Sequence, residues 1–321
     1  MNVMRMKNKM KYACTIFCAI FVCTAFTGSQ ALASITAQYL YNLTGFTGTS
    51  SFSGGKITID HENNETYVIY GNEVSVFNAN GMEIYSFSYL DTDLGIVQAL
   101  AVLPEGDMIT LETNVEKGST EIIRRNYRGE PIAEIKIKEL PAGFSFSPSR
   151  MVYRGGLLYF ADTDALQVVT TDLSGLFQQR YDLFSALELE PKDLGDKLLT
   201  GFDISKSGDI LFTVSVLFRA FVLSPAGKLR EFGEGGSLPG KFNIVGGITT
   251  DNKGNYLVTD RLKGAAQIFD SGFNFQYMFG DWGGRPGTLR VPNDIVVDHT
   301  DKVFIAQGAA KGVSVYRLLY E

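Results

Sequence analysis

The chain repeats itself near its C-terminus. Phe232–Phe269 slides onto Phe279–Tyr316 without a gap, so that Phe232-Gly233 falls on Phe279-Gly280, Gly236 on Gly283, Pro239-Gly240 on Pro286-Gly287, Ile248 on Ile295 and Asp251 on Asp298. Self-similarity with a period of a few tens of residues belongs to chains that stack one supersecondary unit: propellers, solenoids and arrays. Each unit reads as four short strands, "GITTD", "NYLVTD", "AAQIFD" and "NFQYMF", split by the turn signals "NKG" and "SGF". The strands carry β-branched and aromatic residues and the breaks carry Gly, Asn and Asp. Four antiparallel strands per unit make the blade of a β-propeller.

Weaker copies start at Gly55, Gln98, Arg150 and Gly201, in the same order of strand, Gly turn, strand, strand, Gly turn, strand. That gives six units and an all-β, six-bladed propeller of four-stranded antiparallel blades. The last unit stops after its third strand, "GVSVYRLLY", while "TAQYLYNL", Thr36–Leu43, stands before the first unit with no partner. The orphan strand is predicted to become the outer strand of the last blade, which removes the loose edges of the ring. A ring closed within one chain is expected to be a monomer.

The pattern F-G-x-x-G, P-G, I-x-x-D, G-N-Y-L-V-T-D and Q-I-F-D-x-x-G, clear from Phe232 to Tyr316, resembles the NHL-repeat family of six-bladed propellers. The resemblance implies the fold. It implies no single activity, because such propellers include binding modules, scaffolds and enzymes. The family's Asn-His-x-Ile type signature is replaced here by Arg261-Leu262, so no family function is carried over on that motif.

The first residues read as an address. Arg5, Lys7, Lys9 and Lys11 precede the apolar run "ACTIFCAIFVCTAF", and Ala31-Leu32-Ala33 offers a small-x-small cleavage site. This predicts a signal peptide over residues 1–33, a single propeller domain over 34–321, and a secreted or periplasmic product. Cys14, Cys18 and Cys23 all lie in the leader, so the mature chain is expected to have no disulfide, thiol nucleophile or cysteine metal site. The residues before Cys18 and Cys23 do not fit a lipoprotein signal. Removing the four basic leader residues turns 29 basic and 35 acidic residues into 25 and 35, a net charge of −10. That balance argues against a nucleic-acid partner and a polybasic membrane site. No further stretch approaches the length of a spanning helix.

Only two histidines exist, His61 in "IDHENNE" and His299 in "VDHTDK". Both are read as solvated residues of the turn between the first two strands, on the bottom rim away from the ligand mouth. Two histidines are too few for the zinc site of the six-bladed amidating lyases or for His-based nucleophilic catalysis. The positions before each first strand and after each second strand are expected to face the mouth. They are Gln98, Glu112, Asn114, Arg150, Asp162, Asp164, Asp260, Arg261, Asn293 and Asp294. Their oxygens suit a hard cation such as calcium on the axis, but Asp and Asn are also ordinary turn formers. Asp260 is expected to cap its own turn. Arg150 and Arg261 suit an anionic or carboxylate partner, with an inter-blade salt bridge as the favoured alternative.

"DLFSALELEPKDLGDKLLTG", Asp182–Gly201, is longer than a blade connection, and its leucine spacing suggests a short helical excursion around Pro191. A functional loop over the mouth and a simple cover for blade edges are both open readings. Trp282 in "FGDWGGRPG" is expected to pack between blades, with a partner hot spot as the alternative. The leading functional reading is an exported, non-catalytic binding or scaffold module without a cofactor, presenting a propeller face to a protein or small ligand. The alternative is a calcium-dependent hydrolase or lyase with its ion on the axis.

Overall fold

The computed structural model describes residues 34–45, 55–88, 93–193, 195–308 and 311–321. The expected leader and its three cysteines fall outside the described residues. Six separate four-stranded antiparallel sheets form the blades of one ring. Their innermost strands are Lys56–Asp60, Ile96–Val102, Arg150–Arg154, Leu199–Ile204, Val245–Thr250 and Pro292–Val297, and they number blades 1 to 6. No helix among the described residues is long and apolar enough to cross a membrane.

The final blade has the order outer strand Ile35–Asn42, then Val313–Tyr320, Lys302–Gln307 and Pro292–Val297. Ile35 pairs with Tyr320 and Asn42 with Ser314. The orphan strand therefore does supply the outer strand of the last blade, one residue earlier at each end than the sequence suggested. Tyr39 seals the joint edge-on against Tyr316, ring centroids 5.6 Å apart.

Strand burial follows position in the blade. In blade 5 the two middle strands, Tyr256–Asp260 and Ala265–Phe269, are buried at every residue, whereas the outer strand Phe275–Phe279 is mostly half-buried. Sheets covered on both faces carry near-continuous apolar runs, and here the covers are the neighbouring blades. The apolar core is accordingly divided into six clusters, each drawn from two adjacent blades. Leu257, Ile268, Ile295 and Ile305 join blades 5 and 6, while Val68, Phe77, Phe304 and Val315 join blade 6 back to blade 1. Each such side chain contributes about 1.5–3 kcal/mol by burial.

The sequence repeat is a repeat of hydrogen bonds. Isolated bridges pair Gly235 with Phe242 and, at the same offset as the sequence match, Trp282 with Leu289. Asp251 Oδ1 accepts from Lys253 N and Asn255 N, both at 2.8 Å, and Asp298 Oδ1 does the same with Thr300 N and Lys302 N. These Asx turns reverse the chain between the first two strands.

Candidate axial site

The first residues of the inner strands converge on the ring axis, where a cavity of about 660 Å³ runs along the strands. An inner strand has an unpaired edge, and an unpaired backbone group away from water is costly. Side chains of neighbouring blades serve that edge. Thr58 Oγ1 donates to Leu100 O at 2.7 Å, Arg154 Nε to Ile204 O at 3.2 Å, and Thr213 Oγ1 to Gly246 O at 2.5 Å.

The ring is pinched on one side. A Cβ on Gly201 would stand 2.5 Å from Gly246 O, one on Gly246 2.8 Å from Pro292 O, and one on Gly247 2.9 Å from Asp294 Cα. Only glycine lets the inner strands of blades 4, 5 and 6 approach this closely. Long polar side chains can enter the axis from blades 1 and 3, and Lys56 and Arg150 do.

At the end where the inner strands begin, the cavity is lined by Lys56, Arg150, Arg261, Asn293 and Asp294. Lys56 Nζ donates to Gln98 O at 2.5 Å and to Ser149 O at 3.4 Å. Burial, reinforced by the Arg150 charge, lowers Lys56 from 10.5 to about 7, against the pull of Asp294. Arg150 is likewise lowered by burial and supported by Asp294. Asp294 is half-buried and lines the cavity. Burial pushes it up, opposed by the amide of Ile57, by Arg150 and by Lys56. Its Oδ2 accepts from Ile57 N at 3.0 Å and its Oδ1 from Ile295 N at 3.1 Å.

Neither Arg150 nor Arg261 makes an ion pair among the described residues, in place of the salt bridges favoured from the sequence. Arg150 donates only to Ser149 O, at 3.1 Å. Arg261 Nε is buried with no hydrogen-bond partner at all. A buried donor without a partner costs about 1–3 kcal/mol, a cost the fold carries at this end of the cavity.

The other candidates lie elsewhere. Gln98 and Asp162 line a side recess of about 280 Å³ with Ser147, Thr163 and Asp164. Gln98 Nε2 bonds Thr113 Oγ1 at 2.7 Å and its Oε1 is buried and unpartnered. Asp162 spends its carboxylate on the amides of Ser147, Asp164 and Ala165. Asp260 does so on Asn243, Leu262 and Lys263, which is the turn cap expected of it. Glu112 is buried in an ion pair with Arg125 at 2.6 Å and accepts from Gly95 N. Asn114 caps the turn at Glu116 and Lys117. Glu112 and Asp260 line neither space.

The far end holds Arg154, Asp203, Thr249 and His61. Asp203 is pushed up by burial, opposed by Arg154 and by Thr249, whose hydroxyl donates to it at 2.6 Å. His61 is solvent-exposed as its turn requires, but the turn faces the axis: the imidazole is lowered by burial and then by Arg154. It stands at the end opposite the expected mouth and lines the same cavity from there. Trp282, expected between blades, is 52% exposed. The excursion after Asp182 holds two short helical turns, Leu183–Ala186, capped by Asp182 Oδ1 on Ser185 N, and a 3-10 turn Pro191–Asp193 at the proline where the sequence placed it. Leu183, Phe184, Leu187 and Leu189 pack on the cluster between blades 3 and 4. The segment thus covers blade edges, and Leu198–Thr200 at its end reach the cavity.

Lys56, Arg154, Asp203 and Thr249 were missed in the sequence. The available signal was positional: Lys56 opens the inner strand of blade 1 as Arg150 opens that of blade 3.

A calcium site needs several oxygen ligands converging on one point. Among the described residues no group of three or more His, Cys, Asp or Glu side chains is placed to hold a metal ion. The one carboxylate at the upper end, Asp294, stands among cations with both oxygens engaged by amides. This donor set does not fit a hard dication.

No family model matches the chain, and no curated protein matches it in sequence. Solved structures do match in shape. A structural genomics protein of unknown function from Bacteroides thetaiotaomicron VPI-5482 superposes with a TM-score of 0.63 at 14% identity, covering 89% of this chain and 77% of that one. A streptogramin B lyase gives 0.57 at 13% identity, covering 89% and 98%. A gluconolactonase from Xanthomonas campestris gives 0.58 at 15% identity, covering 89% and 90%. At such identities the likeness is one of fold: a six-bladed β-propeller.

Proposed function

We propose that the chain is an exported binding module, built on NHL-type repeats, whose axial cavity takes a small organic anion with an apolar body. The single observation behind this reading is the gathering of Arg261, Arg150 and Lys56 on one end of the cavity wall, where Asp294 is the one acid among the lining residues. A carboxylate suits a guanidinium fork. The cavity volume lies in the range of small-ligand sites, and Leu100, Val152 and Phe202 give its wall an apolar share. Lyase and lactonase neighbours share the architecture, and architecture alone carries no chemistry.

Calorimetric titration of the purified chain with monocarboxylates from acetate to benzoate, against the matching amines, tests the reading. Carboxylates are expected to bind, more tightly with apolar bulk, and the amines not. Equal binding of both classes, or carboxylate binding untouched in Arg261→Ala, would overturn it.

A further inference from the structure

Lys56 is the third of these basic groups, and anion binding alone does not call for an amine in its setting. A lysine inside a protein is ordinarily paired with an acid. Lys56 lines the axial cavity, and among the described residues no carboxylate stands within ion-pair distance of it. Its contacts are two backbone carbonyls, Gln98 O at 2.5 Å and Ser149 O at 3.4 Å. Its electrostatic neighbours are Arg150, which opposes a second positive charge, and Asp294, which favours one. An amine in an enclosed space beside another cation is the setting in which lysine acts as a nucleophile toward carbonyl carbon.

We propose that the Lys56 amine captures a small 2-oxo acid as a reversible imine, while Arg150 and Arg261 hold the carboxylate of the same ligand. The inference rests on the anion-binding reading above and narrows it to one class of anion. The two sets of groups line one end of one cavity, and a 2-oxo acid carries its carbonyl directly next to its carboxylate.

The chemistry balances without a co-reactant. The nitrogen lone pair forms a bond to the keto carbon, and the carbonyl π pair moves to oxygen, which takes a proton to give a carbinolamine. The nitrogen then gives up its extra proton, its lone pair forms the C=N bond, and the protonated hydroxyl leaves as water. Asp294 lines the same cavity and is the carboxyl that would give and take the protons of both transfers. The lowered Lys56 supplies free amine near neutral pH. Water reverses the reaction, so the ligand is held and released unchanged.

The full chain is incubated with pyruvate and cyanoborohydride, which fixes any imine as a secondary amine, and the modified lysine is located by peptide mass spectrometry. Lys56 is expected to be labelled at least about tenfold faster than any exposed lysine, because burial lowers its amine from 10.5 to about 7. Labelling should rise with pH through about 7, fall when excess propionate is present, and vanish in Lys56→Arg. Labelling spread over exposed lysines with Lys56 untouched would overturn the proposal in the wild-type chain, whatever the variant does. Propionate calorimetry in parallel separates the two failures: if propionate binds and Lys56 stays unlabelled, the imine alone is wrong. If neither propionate nor pyruvate binds, the anion reading falls with it.

Discussion

Asp294 of the last blade accepts the main-chain N–H of Ile57 of the first blade at 3.0 Å. The contact ties the two ends of the ring on the axis, while Ile35–Asn42 ties them at the rim. Asp294→Ala leaves the buried Ile57 amide without its acceptor, at a cost of about 1–3 kcal/mol. The urea midpoint is expected to fall with little change in slope, since the surface exposed on unfolding is the same.

The axial acids make stability depend on pH in an unusual direction. Burial raises both Asp203 and Asp294 above the usual 3.8. Their contribution is therefore fully present below the unfolded value and is lost as pH rises through the folded ones. The wild type should lose stability over that window relative to Asp203→Asn/Asp294→Asn, and thermal melts across pH 3–7 read the difference. A gap between the two proteins that does not change with pH would contradict it.

Lys56 acts in the opposite sense at the other end of the scale. Its value falls from 10.5 to about 7 on folding, so the unfolded chain binds the extra proton between these limits. Stability conferred relative to Lys56→Met should rise with pH across that interval, by at most about 1.4 kcal/mol per pH unit. Denaturant melts of both proteins at pH 7 and pH 10 measure it.

Gly247→Ala tests the pinch in the ring. The added Cβ would stand 2.9 Å from Asp294 Cα and from Ile295 N, backbone atoms that cannot rotate away. Overpacking of this kind costs about 1–3 kcal/mol. Gly71→Ala is the control: its φ of +56° carries a strain of about 1 kcal/mol, and no atom lies within 4 Å of the new Cβ. The thermal midpoint should drop further for Gly247→Ala.

Glu112→Gln tests the buried pair in blade 2. Glu112 Oε1 meets Arg125 at 2.6 Å with both side chains almost wholly enclosed. Burial pushes the carboxyl up and the guanidinium opposes it. Removing one member of a buried pair costs about 3–5 kcal/mol. A loss under 1 kcal/mol in urea titration would mean that water reaches Arg125.

The architecture could be read from the sequence because its determinants are local and repeated. Gly233 and Gly280, Pro239 and Pro286, and Asp251 and Asp298 serve equivalent turns, and the bridges at Gly235 and Trp282 recur at the same spacing. The site was only half legible. Arg150, Arg261, Asn293 and Asp294 reach the cavity, but Glu112, Asp162 and Asp260 are held by local partners. An acid at a strand end looks the same whether it awaits a ligand or holds a loop. Lys56 stayed hidden for a different reason. Which side chain of an inner strand meets the axis depends on how closely neighbouring blades approach, and that is set by Gly201, Gly246 and Gly247 far along the chain.

The pairing of Ile35 with Tyr320 sets an order of events during synthesis. The strand that leaves the ribosome first finds its partner last. Until Val313–Tyr320 has been made, Ile35–Asn42 has no edge to join and the sixth sheet lacks a border. Contacts this distant along the chain slow folding, and an unpaired strand is a template for intermolecular pairing in the meantime. A nascent chain of this design is therefore expected to depend on a chaperone or a delay mechanism until Val313–Tyr320 has been made, and loss of that strand should be far more damaging to yield than the few residues removed would suggest.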